Sequence, residues 1–212
     1  MTNIAMYKAS GKIVRGLIHR IVYKCLPLFR WWGHVPGHRD VAVSLLQKGR
    51  WIAVIPGGGE EAIEGHENAY TLRWVSSSGR PRHGWAKVVQ AANVRVVPIA
   101  GINTQEMAFN IFAFLVNSLK ISKLYNYLVA LPGILGWFFF QLQSYSWFLV
   151  CTFLSVPVPV KAGMRIGEPM QMEKDETPEA FAKRFEQSFQ TLINDTNPGG
   201  LNYTRAVKQR ID

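Results

Sequence analysis

Apolar residues at Ile13, Val14, Leu17, Ile18, Ile21, Val22 and Cys25 recur with a helical period, and Lys12, Arg15, His19, Arg20 and Lys24 fill the other turns. This spacing predicts a basic amphipathic helix over residues 12–25, suited to a membrane surface or to packing its stripe on a domain. Asp40 is placed to cap a helix through Val41-Ala-Val-Ser-Leu-Leu-Gln-Lys48, with Gly49 as its stop. Trp51–Ile55 is a short, continuously apolar run, which predicts a strand buried on both faces. Pro56-Gly-Gly-Gly59 reads as a turn and Glu60–Glu64 as the start of a helix. Trp85, Val88, Val89 and Ala92 share one helical face, and Val94–Ala100 forms a second apolar strand.

Farther along, Val158–Ile166 predicts a last strand. Thr177 then caps a helix with Pro178 in its first turn and Phe181, Phe185, Phe189 and Leu192 on one stripe, closed by Asn197-Pro-Gly-Gly200. Helix and strand alternating around a glycine turn predict an α/β fold, a layered mixed sheet with flanking helices. Neither an internal repeat nor a linker divides the sequence, so residues 1–212 are expected to form a single domain.

Residues 124–160 break the alternation. No formally charged residue stands between Lys123 and Lys161, a stretch longer than a membrane-spanning helix needs. Pro132, Gly133 and Gly136 interrupt its start, Gln141, Gln143, Ser144 and Ser146 split it, and Pro157 and Pro159 close it. Polar side chains at that spacing are costly in hydrocarbon. A hydrophobic patch or re-entrant hairpin is therefore favoured over one clean span, with two core helices as the alternative. Trp137, Phe138, Phe139, Phe140, Tyr145, Trp147 and Phe148 suit the headgroup boundary of a bilayer.

Composition narrows the partners. With 48% hydrophobic and 18% charged residues the chain is not disordered by composition. Cys25 and Cys151 are too few for a disulfide framework or a four-cysteine metal cage. The net charge is +10, and nine Lys or Arg against the single acid Asp40 lie at or before Arg50. The aromatic residues gather where charge is absent, which argues against nucleic acid and for a membrane surface, contacted through residues 12–25 and 124–160. Charges interleaved with the apolar residues also exclude a secretory signal.

The glycine turn carries the most chemistry. Gly57, Gly59 and Ala62 satisfy the outline of a dinucleotide fingerprint after a strand. Glu60 and Glu61, however, put carboxylates where a pyrophosphate would sit, and no acid follows about 20 residues on. A nucleoside-triphosphate loop fails for want of Gly-Lys-Ser/Thr, and no Tyr is followed four residues later by Lys.

Taken in order, Pro56, Gly57, Gly58, Glu61 and Ala62, then Arg82, Gly84 and Trp85, then Val97-Pro98, and finally Gly167-Glu-Pro169 before the helix from Thr177 form a series. This series resembles the glycerolipid acyltransferase superfamily, most closely the diacylglycerol acyltransferase 2 and transmembrane protein 68 type, over residues 34–196. The resemblance implies transfer of an acyl group from acyl-coenzyme A, as co-substrate and with no further cofactor, to a hydroxyl of a glycerolipid or fatty alcohol. It places such a protein on the cytosolic face of the endoplasmic reticulum, with membrane lipid and acyl-coenzyme A as partners. Pro56, Gly57, Gly58, Glu61, Arg82, Gly84 and Pro98 become the substrate-binding candidates, Glu61 and Arg82 as the polar fixers.

Two departures stand out. The family's general base is a His in H-x-x-x-x-D, and none of His19, His34, His38, His66 and His83 is followed five residues later by Asp. Since the family places that motif ahead of the basic stretch, the chain is expected to lack the N-terminal catalytic block, and no catalytic residue is assigned. Glu60 stands where relatives often carry Arg. His34 and His38 flank Pro36-Gly37, which prevents the helical pair a metal site would use, so no metal is expected. A non-catalytic lipid-binding or partner-binding module is the alternative, and an NAD(P)-binding enzyme the remaining one.

Overall fold

The computed structural model describes residues 7–8, 11–18, 23–24, 27–55, 68–75, 79–111, 115, 118, 127–142 and 155–211. The chain is mixed α/β and divides into two compact units. One is made of Met1–Gly58, Leu72–Ala100 and Met164–Ile193, the other of Gly59–Thr71, Gly101–Gly163 and Asn194–Asp212.

The first unit opens with a parallel sheet. Strand β1 (Val14–Ile18) lies between β2 (Val35–Pro36) and β3 (Trp51–Ala53). Leu17 stands opposite Val35, and Val14 opposite Trp51. The helix expected over residues 12–25 is thus corrected at Val14–Ile18, which is strand. Gly16 at its centre would cost a helix about 1 kcal/mol, and β-branched Val14 and Ile18 favour extended chain. In the strand Gly16 has a use: a Cβ there would run into the imidazole of His34. Residues 19–22 and 25–26 lie outside the described residues.

Helix α1 (Leu28–Trp31) leads into β2, and α2 (Arg39–Gln47) carries the chain from β2 to β3. Parallel neighbours require a crossover of this kind. The cap of α2 is His38 rather than Asp40: the Asp40 N–H donates to His38 Nδ1 at 3.4 Å, and Asp40 sits in the first turn, where its charge suits the helix dipole. Gly49 stops α2 at φ +68°, its N–H donating to Leu46 O and that of Arg50 to Leu45 O. Strand β3 ends two residues earlier than expected and is not buried on both faces. Trp51, Val54 and Ile55 are exposed, because β3 is an edge strand among the described residues.

Helix α3 (Gly84–Ala92) and helix α4 (Pro178–Thr196) enclose the core of this unit. Thr177 Oγ1 accepts from the Ala180 N–H, and the phenylalanine stripe of α4 turns inward. Trp74 stacks on Phe185 with centroids 6.0 Å apart and meets Trp85 edge-on at 5.5 Å. Ala86, Val89, Phe181 and Ala182 complete the cluster. On α4, Arg184 forks onto Glu176, Nε to Oε1 at 2.8 Å and a terminal nitrogen to Oε2 at 2.7 Å.

The strand expected over Val94–Ala100 is displaced: β4 runs Ile99–Ile102, while Val96 forms an isolated antiparallel bridge with Met170. Pro98 has no N–H, so the ladder is interrupted there. Of the strand expected over Val158–Ile166 only β7 (Gly163–Ile166) forms, and a separate strand β6 (Ser155–Pro157) precedes it, with Pro157 and Pro159, which cannot donate, at the break. β4 pairs with β7.

In the second unit β5 (Ala108–Asn110) pairs antiparallel with β6, Phe109 opposite Val156, and α5 (Tyr203–Ile211) closes the chain. Residues 134–142 are helical, with Ile134, Leu135, Trp137, Phe138, Phe140 and Leu142 exposed. Among the described residues no helix is long and apolar enough to cross a membrane.

Candidate functional site

Pro56, Gly57, Gly58 and Glu61 lie outside the described residues, as do His66 and both cysteines. β3 ends at Ala53, three residues before Pro56 in the sequence, at the C-terminal end of a parallel strand. The same end of the sheet receives Ile18 of β1, whose carbonyl accepts from the Gly37 N–H at 2.7 Å. Ligands of parallel α/β sheets gather beyond the carboxyl ends of strands.

The described candidates fall in two places. Arg82 is half-buried, and its backbone N–H donates to Trp74 O at 2.7 Å. His83 caps α3, and Gly84 is exposed at the first position, with open space where a Cβ would stand. Trp85, the aromatic residue of the same motif, belongs to the core. The second place is Pro98. Its carbonyl accepts from the Gly167 N–H at 2.9 Å, and a Cβ on Gly167 would meet the Pro98 ring at 2.9 Å and Leu192 at 2.8 Å. The V-P element, the G-x-P element and the terminal helix therefore meet at a glycine whose lack of a side chain the contact requires.

Beside Arg82 a shallow open cleft of about 460 Å³ is lined by Trp74, Val75, Pro81, His83, Glu179 and Lys183, with Ala180 and Glu186. Its lining brings one imidazole, two carboxylates and one ammonium to the same shallow surface. Glu179 is engaged by Lys87 at 3.5 Å. Among the described residues no three His, Cys, Asp or Glu side chains converge as metal ligands.

A buried polar cluster in the second unit has no signature in the sequence pattern. Glu106, 0% exposed, accepts from the Tyr70 hydroxyl and from the Asn202 N–H at 2.8 Å, and its carboxylate lies 3.6 Å from Arg205. Buried Asn103 accommodates φ +52° and donates from Nδ2 to Gln209 Oε1 at 2.7 Å and to Lys161 O at 3.2 Å. Asn197 accepts from the Asn103 N–H and donates to Gly101 O. Burial, then the bond to Glu106, pushes the Tyr70 phenol up to about 12, and burial raises Tyr203 as well. The partners of Glu106 stand 36 and 96 residues away in sequence, so only the fold identifies them. With both Glu106 oxygens engaged and the residue 0% exposed, this carboxylate holds structure and is not arranged to react.

Over 179 residues the chain is 28% identical to a Gallus gallus protein described as a DGAT1/2-independent enzyme synthesizing storage lipids. The chain is similar to a lipid-synthesising enzyme. The alignment takes in 84% of this chain but 45% of that protein, so the chain spans under half the length of its relative. A match of that length on 212 residues necessarily includes the stretch from Pro56 to Pro169. No protein-family model and no solved structure matches the chain.

Proposed function

We propose that the chain is part of a membrane-associated acyltransferase of the glycerolipid type, acting with acyl-coenzyme A on a hydroxyl of a glycerolipid or fatty alcohol. The observation that carries this reading is the likeness to a storage-lipid-synthesising enzyme across the whole span of the motif series. Pro98 against Gly167, and Arg82 beside the His83 cleft, supply the scaffold such a site would use. The segment holding Pro56, Gly57, Gly58 and Glu61 is assigned to acceptor and acyl contact. The exposed aromatic face of residues 134–142 favours contact with lipid, and the endoplasmic-reticulum membrane, cytosolic side, is the corresponding location.

No His in these 212 residues is followed five residues later by Asp, the spacing of the general-base motif. This favours a second reading, a lipid-binding module that uses the scaffold without catalysis. The test presents purified chain with radiolabelled oleoyl-coenzyme A and, in mixed micelles, diacylglycerol or hexadecanol. Saturable acyl-coenzyme A binding, weakened by Arg82→Ala, is the expected result, with no ester formed by these residues alone. Absence of saturable binding removes the acyltransferase reading. Ester formation abolished by His83→Ala would keep the reaction class and move the general base to His83.

A further inference from the structure

Helix α1, which lies between β1 and β2, carries a surface that the sequence pattern did not single out. Of α1 and the residue after it, Leu28 is 53% exposed, Trp31 86% and Trp32 59%. Large indoles at that exposure are unusual on a protein surrounded only by water. Nor are they loosely held. The Gly33 N–H donates to Arg30 O at 3.0 Å and the His34 N–H to Phe29 O at 3.0 Å, with Gly33 at φ +79°. This paired closure needs a left-handed residue and fixes the direction of the last turn. Half-buried Phe29 lies edge-on to His34 with centroids 5.4 Å apart and to Trp32 at 5.9 Å. One ring anchors the turn while its neighbours face out.

Positive charge frames the same turn. Exposed Arg30 lies with its guanidinium 4.8 Å from the Tyr23 ring centroid and donates from Nε to Tyr23 O, next to exposed Lys24. No acid occurs before Asp40, and Asp40 sits 3.4 Å from His38. Indole faces, an aliphatic side chain and guanidinium together match the boundary of a bilayer, where rings lie at the level of the glycerol backbone and cations meet phosphate.

We infer that Leu28, Trp31 and Trp32 form a rigid interfacial anchor that inserts into an anionic phospholipid bilayer, with Arg30 and Lys24 on the lipid phosphates. The anchor rests on the membrane-associated reading above but uses neither the stretch 12–18 as a helix nor residues 134–142. Because α1 is closed by its own backbone bonds, the turn enters the membrane preformed and loses little conformational freedom.

Flotation on vesicles of phosphatidylcholine, with and without about 30% phosphatidylserine, tests it. The wild-type chain is expected to float with the anionic vesicles. Trp31→Ala/Trp32→Ala should lower the partition coefficient at least about tenfold, and Arg30→Gln about fivefold on anionic vesicles only. Unchanged urea midpoints of these exposed-site variants establish that folding is intact. Should the alanine pair misfold, Trp31→Phe/Trp32→Phe keeps the test open: quenching of tryptophan fluorescence by brominated acyl chains must then fall below that of wild type, the remainder coming from other exposed indoles such as Trp137, and unchanged quenching overturns the anchor. Wild-type flotation that the Trp variants leave unaltered overturns the anchor and leaves the membrane reading standing. No flotation on either vesicle removes both. Trp-dependent binding to a single-stranded oligonucleotide, without flotation, would assign the surface to nucleic acid and overturn the anchor.

Discussion

The Tyr70 hydroxyl donates to Glu106 Oε2 across 2.5 Å and in turn accepts from the Gln105 N–H, so one phenol oxygen ties a buried carboxylate to the backbone beside it. Tyr70 holds φ +64°, a left-handed conformation that bulky residues seldom adopt, and the bond to Glu106 offsets that cost. Tyr70→Phe removes a donor from a carboxylate that water does not reach. A loss of about 1–3 kcal/mol in urea unfolding is expected. A midpoint within error of wild type would show that the cluster contributes nothing net.

The same phenol gives an alkaline signature. An unfolded tyrosine ionises near 10, whereas burial and then the Glu106 bond push Tyr70 up to about 12. Between those values the unfolded chain has released a proton that the folded chain retains, so stability is complete below about pH 10 and falls as pH rises toward 12. Ultraviolet titration of phenolate should show late-titrating tyrosine, of which Tyr70→Phe deletes one and leaves the raised Tyr203. All seven tyrosines titrating together near 10 would contradict it.

Acid acts through Glu176. The fork from Arg184, above all its hydrogen bonds, holds this carboxyl below the usual carboxylate value. A depressed carboxylate contributes stability that is present above its unfolded value of 4.5 and is lost as pH falls through the folded one. Wild type should therefore lose more thermal stability between pH 5 and pH 3 than Glu176→Gln does. Parallel melting-temperature profiles would refute the assignment.

Core packing in the first unit sets another expectation. Trp74, 1% exposed, touches Trp85, Phe185 and Phe189. Trp74→Ala leaves a hole among rings from two helices and should cost about 3–5 kcal/mol, with loss of the near-ultraviolet dichroism that the stacked rings generate. A much smaller loss would mean the cluster collapses into the space.

Gly16 and His34 form a testable steric pair. Gly16→Ala drives a methyl into the imidazole and should destabilise by about 1–3 kcal/mol. His34→Ala in the same chain removes the obstacle, so a double-mutant cycle should return a coupling of opposite sign. Strict additivity would place the cost in the strand backbone instead.

What sequence alone decided about this protein is local. Thr177 and Pro178 start α4, Gly49 ends α2, and the Phe181–Phe185–Phe189 stripe finds the core, because caps, left-handed stops and 3.6-residue stripes act within a few residues of chain. Of the candidate site, the motif series named Pro98 and the G-x-P element but not their contact, and the motif's aromatic Trp85 packs against the core. Only tertiary structure decided that Val14–Ile18 is a strand, since its apolar residues fit a helical stripe until two parallel neighbours supply hydrogen bonds and His34 fills the space over Gly16. It alone also brought Glu106 to Tyr70 and Asn202, and turned Trp31 and Trp32 outward. A buried carboxylate needs donors from wherever the chain returns, and no local period encodes that return.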